Sequence, residues 1–135
     1  MLEMDQLSLE RQLDLVFRQL DDELAGLSSG IVFVQIRNNV IGKFGIRHNP
    51  IAGREGKLAE AEPGLTAQQR ASFRQMALGA LTFKRSWTHG EIAYDFTIRH
   101  DMIVVDATLE SNYNMASQMI RYPRHTYQDR NSELS

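Results

Sequence analysis

The sequence contains two β-hairpin patterns, each preceded by an amphipathic helix pattern, and this repeat is what most constrains the fold. The alternating segments are 31–37 with 41–47, and 91–99 with 102–110. Alternation of apolar and polar residues with a period of two is typical of strands that bury one face. The order predicts an α+β domain with a four-stranded antiparallel sheet and two helices packed on one face.

Two helices are predicted from apolar residues at helical spacing. The first covers 8–27, with Ser8 or Asp5 available to cap its N-terminus. The second follows Thr66 and Gln69, which form a capping-box pattern. Its predicted buried residues are Phe73, Met76, Ala77, Ala80 and Leu81.

The register of the first hairpin depends on its loop. A two-residue turn at 38–39 would move Phe44 and Lys43 to the wrong faces, because a shift of one residue inverts every side chain that follows. We therefore predict a three-residue loop over 38–40. The glycines of the second strand indicate a bulge or a close backbone approach. The apolar face then holds Val32, Val34, Ile36, Gly42, Phe44 and Ile46, and the polar face holds Gln35, Arg37, Lys43 and Arg47.

The second hairpin, with a tight turn at 100–101, sets like charges opposite each other on its exposed face. Such pairs are destabilising unless something compensates them. A divalent cation, a basic partner and the cations of the first hairpin are the three alternatives. We favour the third, which needs no other molecule, and predict no metal site because no calcium-loop spacing is present. The opposed pairs are Asp95 with Asp106 and Glu91 with Glu110, and the compensating cations are Arg37, Lys43 and Arg47.

Some apolar residues remain on the exposed sheet face, whereas others face the helices. A surface apolar patch is a common sign of an interface, so we predict that the chain pairs there with a second copy or with another protein. The predicted interface consists of Ile31, Phe33, Met102 and Val104, with Asp95 and Asp106. The predicted core consists of Leu13, Phe17, Leu20, Val34, Ile36, Phe44, Phe73, Met76, Tyr94, Phe96, Ile98 and Val105.

Small-ligand binding or catalysis is the alternative class of function, at the strand ends. His48 and Asn49 follow the first hairpin, and Trp87 and His89 precede the second. The long segment 50–64 would act as their lid, since connections of this length are uncommon in compact domains. No arrangement of serine, histidine and acid and no zinc-ligand spacing is present, so we assign no catalytic residue and no cofactor.

Nucleic-acid binding is a weaker alternative, carried by the basic segment 37–57. Phe33 offers one aromatic for base stacking, but the acidic second hairpin would repel phosphate. The glycines of this segment superficially resemble a phosphate loop, although Leu58 stands where that motif requires serine or threonine. The cations of the segment are Arg37, Lys43, Arg47, Arg54 and Lys57.

The composition limits which other classes of protein this chain can belong to. The net charge of −2 argues against a general polyanion binder. The chain has no cysteine, which excludes disulfides and thiolate sites and fits a reducing cytoplasm. No apolar run reaches the ~20 residues that span a bilayer, so we expect a cytoplasmic protein.

We predict a single domain over 1–122 and a polar, frayed tail over 123–135. A short third helix is expected after Ser111 and Asn112, ending at Pro123. The order α-β-β-α-β-β-α resembles that of the bacterial type III secretion chaperones, which implies a small, acidic, cytoplasmic dimer. The leading expectation is therefore a non-enzymatic, chaperone-like adaptor or regulatory protein that dimerises through an exposed sheet face or edge.

Overall fold

The structure is a computed structural model that describes residues 7–116. It confirms the predicted α+β class and element order. Met115 and Ala116 are helical, whereas Asp5, the remaining residues of the predicted third helix up to Pro123, and the tail 123–135 lie outside the described residues. The elements are α1 (Leu9–Leu24), β1 (Gly30–Arg37), β2 (Val40–Arg47), β3 (Gly53–Arg54), β4 (Lys57–Leu58), α2 (Ala67–Ala80) with a 3-10 turn at Leu81–Phe83, β5 (His89–Arg99) and β6 (Met102–Ser111).

Both helices begin at the predicted caps. The Ser8 Oγ accepts a hydrogen bond from the Arg11 backbone N–H at 3.2 Å, which satisfies one of the free donors at the start of α1. Thr66 and Gln69 form a complete capping box at the start of α2. The predicted burial of Met76 is wrong, because Met76 is 39% exposed. The residues of α2 that face the sheet are Phe73, Ala77 and Ala80.

The main sheet has the strand order β2-β1-β5-β6, and every neighbouring pair is antiparallel. The hairpin β5–β6 has the predicted turn at His100 and Asp101, whose φ values of 52° and 62° fit a tight two-residue turn. Its register runs without interruption from Arg99 opposite Met102 to Gly90 opposite Ser111. The predicted faces of this hairpin are therefore confirmed.

The three-residue loop predicted for the first hairpin is wrong. Asn38 and Asn39 form a two-residue turn, with φ values of 51° and 62°. Ile36 then pairs with Ile41, so Ile41 and not Gly42 occupies the core face. The register shifts by one residue before Val34 pairs with Phe44. This bulge, at Gly42 and Lys43 opposite Gln35, returns Phe44 and Ile46 to the predicted face.

The Asn38–Asn39 turn is held by hydrogen bonds from two other parts of the chain. Gln12 of α1 is fully buried; its Oε1 accepts from the Ile41 N–H at 2.7 Å and its Nε2 donates to the Asn39 carbonyl at 2.9 Å. The segment before β5 provides the rest. Trp87 N–H donates to the Asn39 Oδ1 at 2.7 Å, and the Asn38 and Asn39 N–H groups donate to the carbonyls of Thr88 and Trp87. These contacts explain the preference for the shorter turn.

We expect glycine to destabilise the turn at position 39 but not at position 38. Asn39→Gly keeps the positive φ but removes the acceptor of the Trp87 N–H, which should lower the free energy of unfolding by about 1 kcal/mol. Asn38→Gly is the matched control, because the Asn38 side chain is exposed and glycine accepts its φ readily. Urea denaturation of both variants tests this, and equal losses of stability would contradict it.

The core lies between the sheet and the two helices. Four aromatic residues form its centre, with the Phe73 ring 4.9 Å from both Phe17 and Phe96. The Tyr94 hydroxyl donates to the Ala77 carbonyl at 3.1 Å, and burial raises the pKa of this phenol. Of the predicted core, Phe44, Ile98 and Val105 are only partly buried against it, and the fully buried members are Leu13, Phe17, Leu20, Val34, Ile36, Phe73, Tyr94 and Phe96.

Candidate functional site

The sheet face opposite the helices, called the outer face below, carries most of the predicted binding residues. Ile31 lies between Arg47 of β2 and Asp95 of β5. Two residues further along β1, Phe33 lies between Gly45 and Ala93. The predicted interface residues therefore do share one face. On β6 the same face presents Met102, Val104, Asp106, Thr108 and Glu110.

Phe33 is covered by its own chain, although it lies on the outer face. The Arg47 guanidinium lies 4.4 Å from the ring centroid, and the Lys43 Nζ lies 6.0 Å from it. A Cβ atom at Gly45 would lie 3.2 Å from the ring, so the phenylalanine fills the space beside this glycine. Phe33 is consequently only 9% exposed and offers little surface for a base or a partner.

The carboxylates of the outer face are compensated only in part by the first hairpin. Glu91 lies 3.6 Å from the Arg47 guanidinium and accepts a hydrogen bond from the Gln35 Nε2 at 3.4 Å. The opposed pairs have the predicted register, including Asp95 opposite Asp106. Within residues 7–116, Arg37, Lys43, Asp95 and Asp106 take part in no ion pair. The same range contains no group of three histidine, aspartate or glutamate side chains that could hold a metal ion.

The structure does not bring the predicted ligand residues together. His48 follows β2 at one end of the sheet, where its Nε2 lies 2.6 Å from the Glu23 carboxylate, and the Asn49 side chain donates to Ser29. His89 begins β5 opposite Arg37, at the other end. Trp87 is fully buried.

His48 and His89 border two separate open depressions. The depression near His89 lies on the outer face and is lined by side chains of both charges, among them Arg37, Lys43, Glu91 and Glu110. The depression near His48 lies between the α1–β1 connection and residues 59–62. A typical small-molecule site is enclosed and mostly apolar. Neither depression is enclosed, and the one near His89 is lined by charges of both signs.

The predicted lid contains a small hairpin. Strands β3 and β4 join through a turn at Glu55 and Gly56, and Arg54 pairs with Lys57 beside that turn. Every residue from 50 to 63 is exposed. Arg54 and Lys57 thus form a basic tip on a two-stranded sheet of its own, separate from the sheet that carries Arg37.

The direction in which the backbone groups of β6 point was not predicted from the sequence. The Asn112 N–H donates to the His89 carbonyl at 2.9 Å, and the β5–β6 register continues from there without a bulge. Because backbone groups alternate in an antiparallel ladder, even-numbered residues of β6 bond to β5, and odd-numbered ones point N–H and C=O away from the sheet. The outward residues are Ile103, Val105, Ala107, Leu109 and Ser111. No strand within residues 7–116 pairs with them.

Comparisons with known proteins add no assignment: no protein-family model, no curated protein and no solved structure matches this chain. The resemblance to type III secretion chaperones therefore rests on element order and chain size. Across residues 7–116, neither helix has the length and apolar character needed to cross a bilayer.

Proposed function

We propose that this chain is a non-enzymatic, protein-binding adaptor that accepts an added strand along the outer edge of β6. The observation that carries the proposal is a row of backbone donors and acceptors on a ten-residue strand, with which no other strand of residues 7–116 pairs. An exposed strand edge is a template for an extended partner, because backbone hydrogen bonds supply affinity and alternate side chains supply specificity.

The two edges of the sheet differ in how well they resist such pairing. Edge strand β2 carries the bulge at Gly42 and Lys43, and bulges and edge lysines are two common means of preventing edge-to-edge contact. Edge strand β6 contains no proline, no lysine and no bulge. It also exposes Met102 and Val104, at 69% and 37%. This asymmetry favours β6 as the binding edge.

The other function classes find less support. A ligand site built from His48 and His89 would need residues at opposite ends of the sheet. A nucleic-acid surface would need Phe33 uncovered and the basic residues on one surface, whereas Arg54 lies on a separate hairpin. The proposal includes a cytoplasmic location, which suits a chain without cysteine, and a chaperone-like role, which rests on the resemblance in element order.

Ala107→Pro tests the edge directly. The Ala107 N–H points away from β5, so proline removes no bond of the β5–β6 ladder but blocks an added strand. We expect affinity capture with the full chain, read by mass spectrometry, to recover the partner about tenfold less with this variant. Ala61→Pro, in an exposed loop, is the control and should capture like the unchanged chain. Equal capture by both variants, with unchanged circular dichroism, would contradict the proposal.

A further inference from the structure

The outer edge of β6 complements itself in one register. We infer that the strand added there is β6 of a second copy of this chain, related by a two-fold axis at Ala107. The inference rests on the proposed function and names its partner. It joins the two four-stranded sheets into one continuous antiparallel sheet.

The direction of the backbone groups makes this pairing possible. Ala107 points its N–H and C=O outward, so two copies can exchange both hydrogen bonds across the axis. Val105 then bonds to Leu109 of the second copy in the same way. Between these bonded pairs, Asp106 lies opposite Thr108 of the second copy. Side chains that face the helices in one copy lie opposite side chains that face the helices in the other. The outer faces of the two copies therefore lie on the same side of the joined sheet.

Charge selects this register over its neighbours. An axis at Asp106 would set that carboxylate directly opposite itself, and an axis at Thr108 would set Asp106 opposite Glu110 twice. Like charges directly opposed across strands are destabilising. Axes at Val105 or Leu109 avoid such pairs but leave one end of β6 unpaired. The Ala107 axis is the register that pairs 103–111 fully without opposing two carboxylates.

The helix side of the edge supplies apolar surface to the same contact. Val105 and Leu109 face the helices but are only partly buried, and Ala107 between them is exposed. Helix α2 runs beside this strand, where Ser72 and Ile103 border one depression. Met76 lies one turn after Ser72 on the same side of the helix, which accounts for its exposure in a single copy. A second copy would cover these residues.

The chain has no cysteine, so single cysteines can report the register without a background. Residues 106 and 108 of opposite copies form a pair without hydrogen bonds, at a Cα separation of about 4.5 Å, which suits a disulfide. The experiment mixes full-length Asp106→Cys, labelled with ¹⁵N, with unlabelled Thr108→Cys, under mild oxidation. We expect mixed disulfide dimers to form about tenfold faster than dimers of either variant alone. Circular dichroism confirms that both variants are folded.

Sedimentation of the unchanged chain gives the second measurement. We expect a dimer at high micromolar concentration and a monomer for Ala107→Pro. Faster cross-linking of Asp106→Cys with itself would overturn the register, and a monomeric unchanged chain would overturn self-pairing. If that monomer still captures another protein, and Ala107→Pro abolishes the capture, the proposed function stands without this inference. A dimer that survives Ala107→Pro overturns the inference and places the dimer contact elsewhere.

Discussion

Phe96→Ala is expected to lower the free energy of unfolding by about 3–5 kcal/mol, because it removes a fully buried ring from the centre of the core. The ring lies 4.9 Å from Phe73 of α2, so its removal leaves a cavity between β5 and this helix. Denaturation in urea, followed by circular dichroism, measures the loss.

Phe83→Ala is the matched control for that substitution. The Phe83 side chain is 84% exposed, so its removal should change the free energy of unfolding by no more than about 0.5 kcal/mol. A loss below about 1 kcal/mol for Phe96→Ala would mean that the faces of β5 are assigned the wrong way round.

Gln12→Glu is expected to destabilise the protein by about 3 kcal/mol or more at pH 7. One oxygen of the new side chain can still accept from the Ile41 N–H, but the other would face the carbonyls of Leu7 and Asn39, which only accept. A buried carboxylate without a second donor has a raised pKa.

The sign of the pH dependence separates this effect from simple loss of contacts. A carboxyl whose pKa is raised by folding stabilises the fold most below its unfolded value of about 4.3, and that contribution is lost as the pH rises. Compared with the unchanged chain at each pH, Gln12→Glu should therefore recover towards pH 4. Gln12→Met loses the same hydrogen bonds but does not titrate, so its deficit of about 2–3 kcal/mol should be constant. Parallel pH profiles for the two variants would refute the proposed role of Gln12.

The second hairpin was predictable from its sequence because its alternation is uninterrupted and its turn has two residues. The first hairpin was not, because a two-residue turn and a bulge together place Phe44 on the same face as a three-residue loop would. The residues that distinguish the two solutions are far away in the sequence. Gln12 and Trp87 form hydrogen bonds with the turn, and no pattern in the hairpin sequence predicts these contacts.

Trp87 illustrates a second limit. Its place beside a strand end suggested a part in ligand binding, but the indole packs over Gly90, where a Cβ atom would lie 2.5 Å from the ring. Glycine in a strand indicates a close approach without naming the residue that approaches.

For the candidate site, the sequence predicted only which residues share a sheet face. Alternation identified which residues share the outer face, and the structure confirms that placement for Asp95 and Asp106. Alternation says nothing about which strands are neighbours or which way they run. Because β1 and β5 are antiparallel, the end of β2 and the start of β5 lie at opposite ends of the sheet, which separates His48 from His89.

The strand order also determines how the chain reaches its native state. Hairpins β1–β2 and β5–β6 each close through two residues, so each forms by local contacts on a microsecond timescale. Pairing of β1 with β5 instead closes a loop that contains the whole of 38–88, and we expect this nonlocal step to limit the folding rate. Loop-closure entropy grows only logarithmically with length. A change in the length of the exposed 50–63 stretch should therefore have little effect on this step. A change that displaces Gln12 or Trp87 would instead remove hydrogen bonds that hold the Asn38–Asn39 turn.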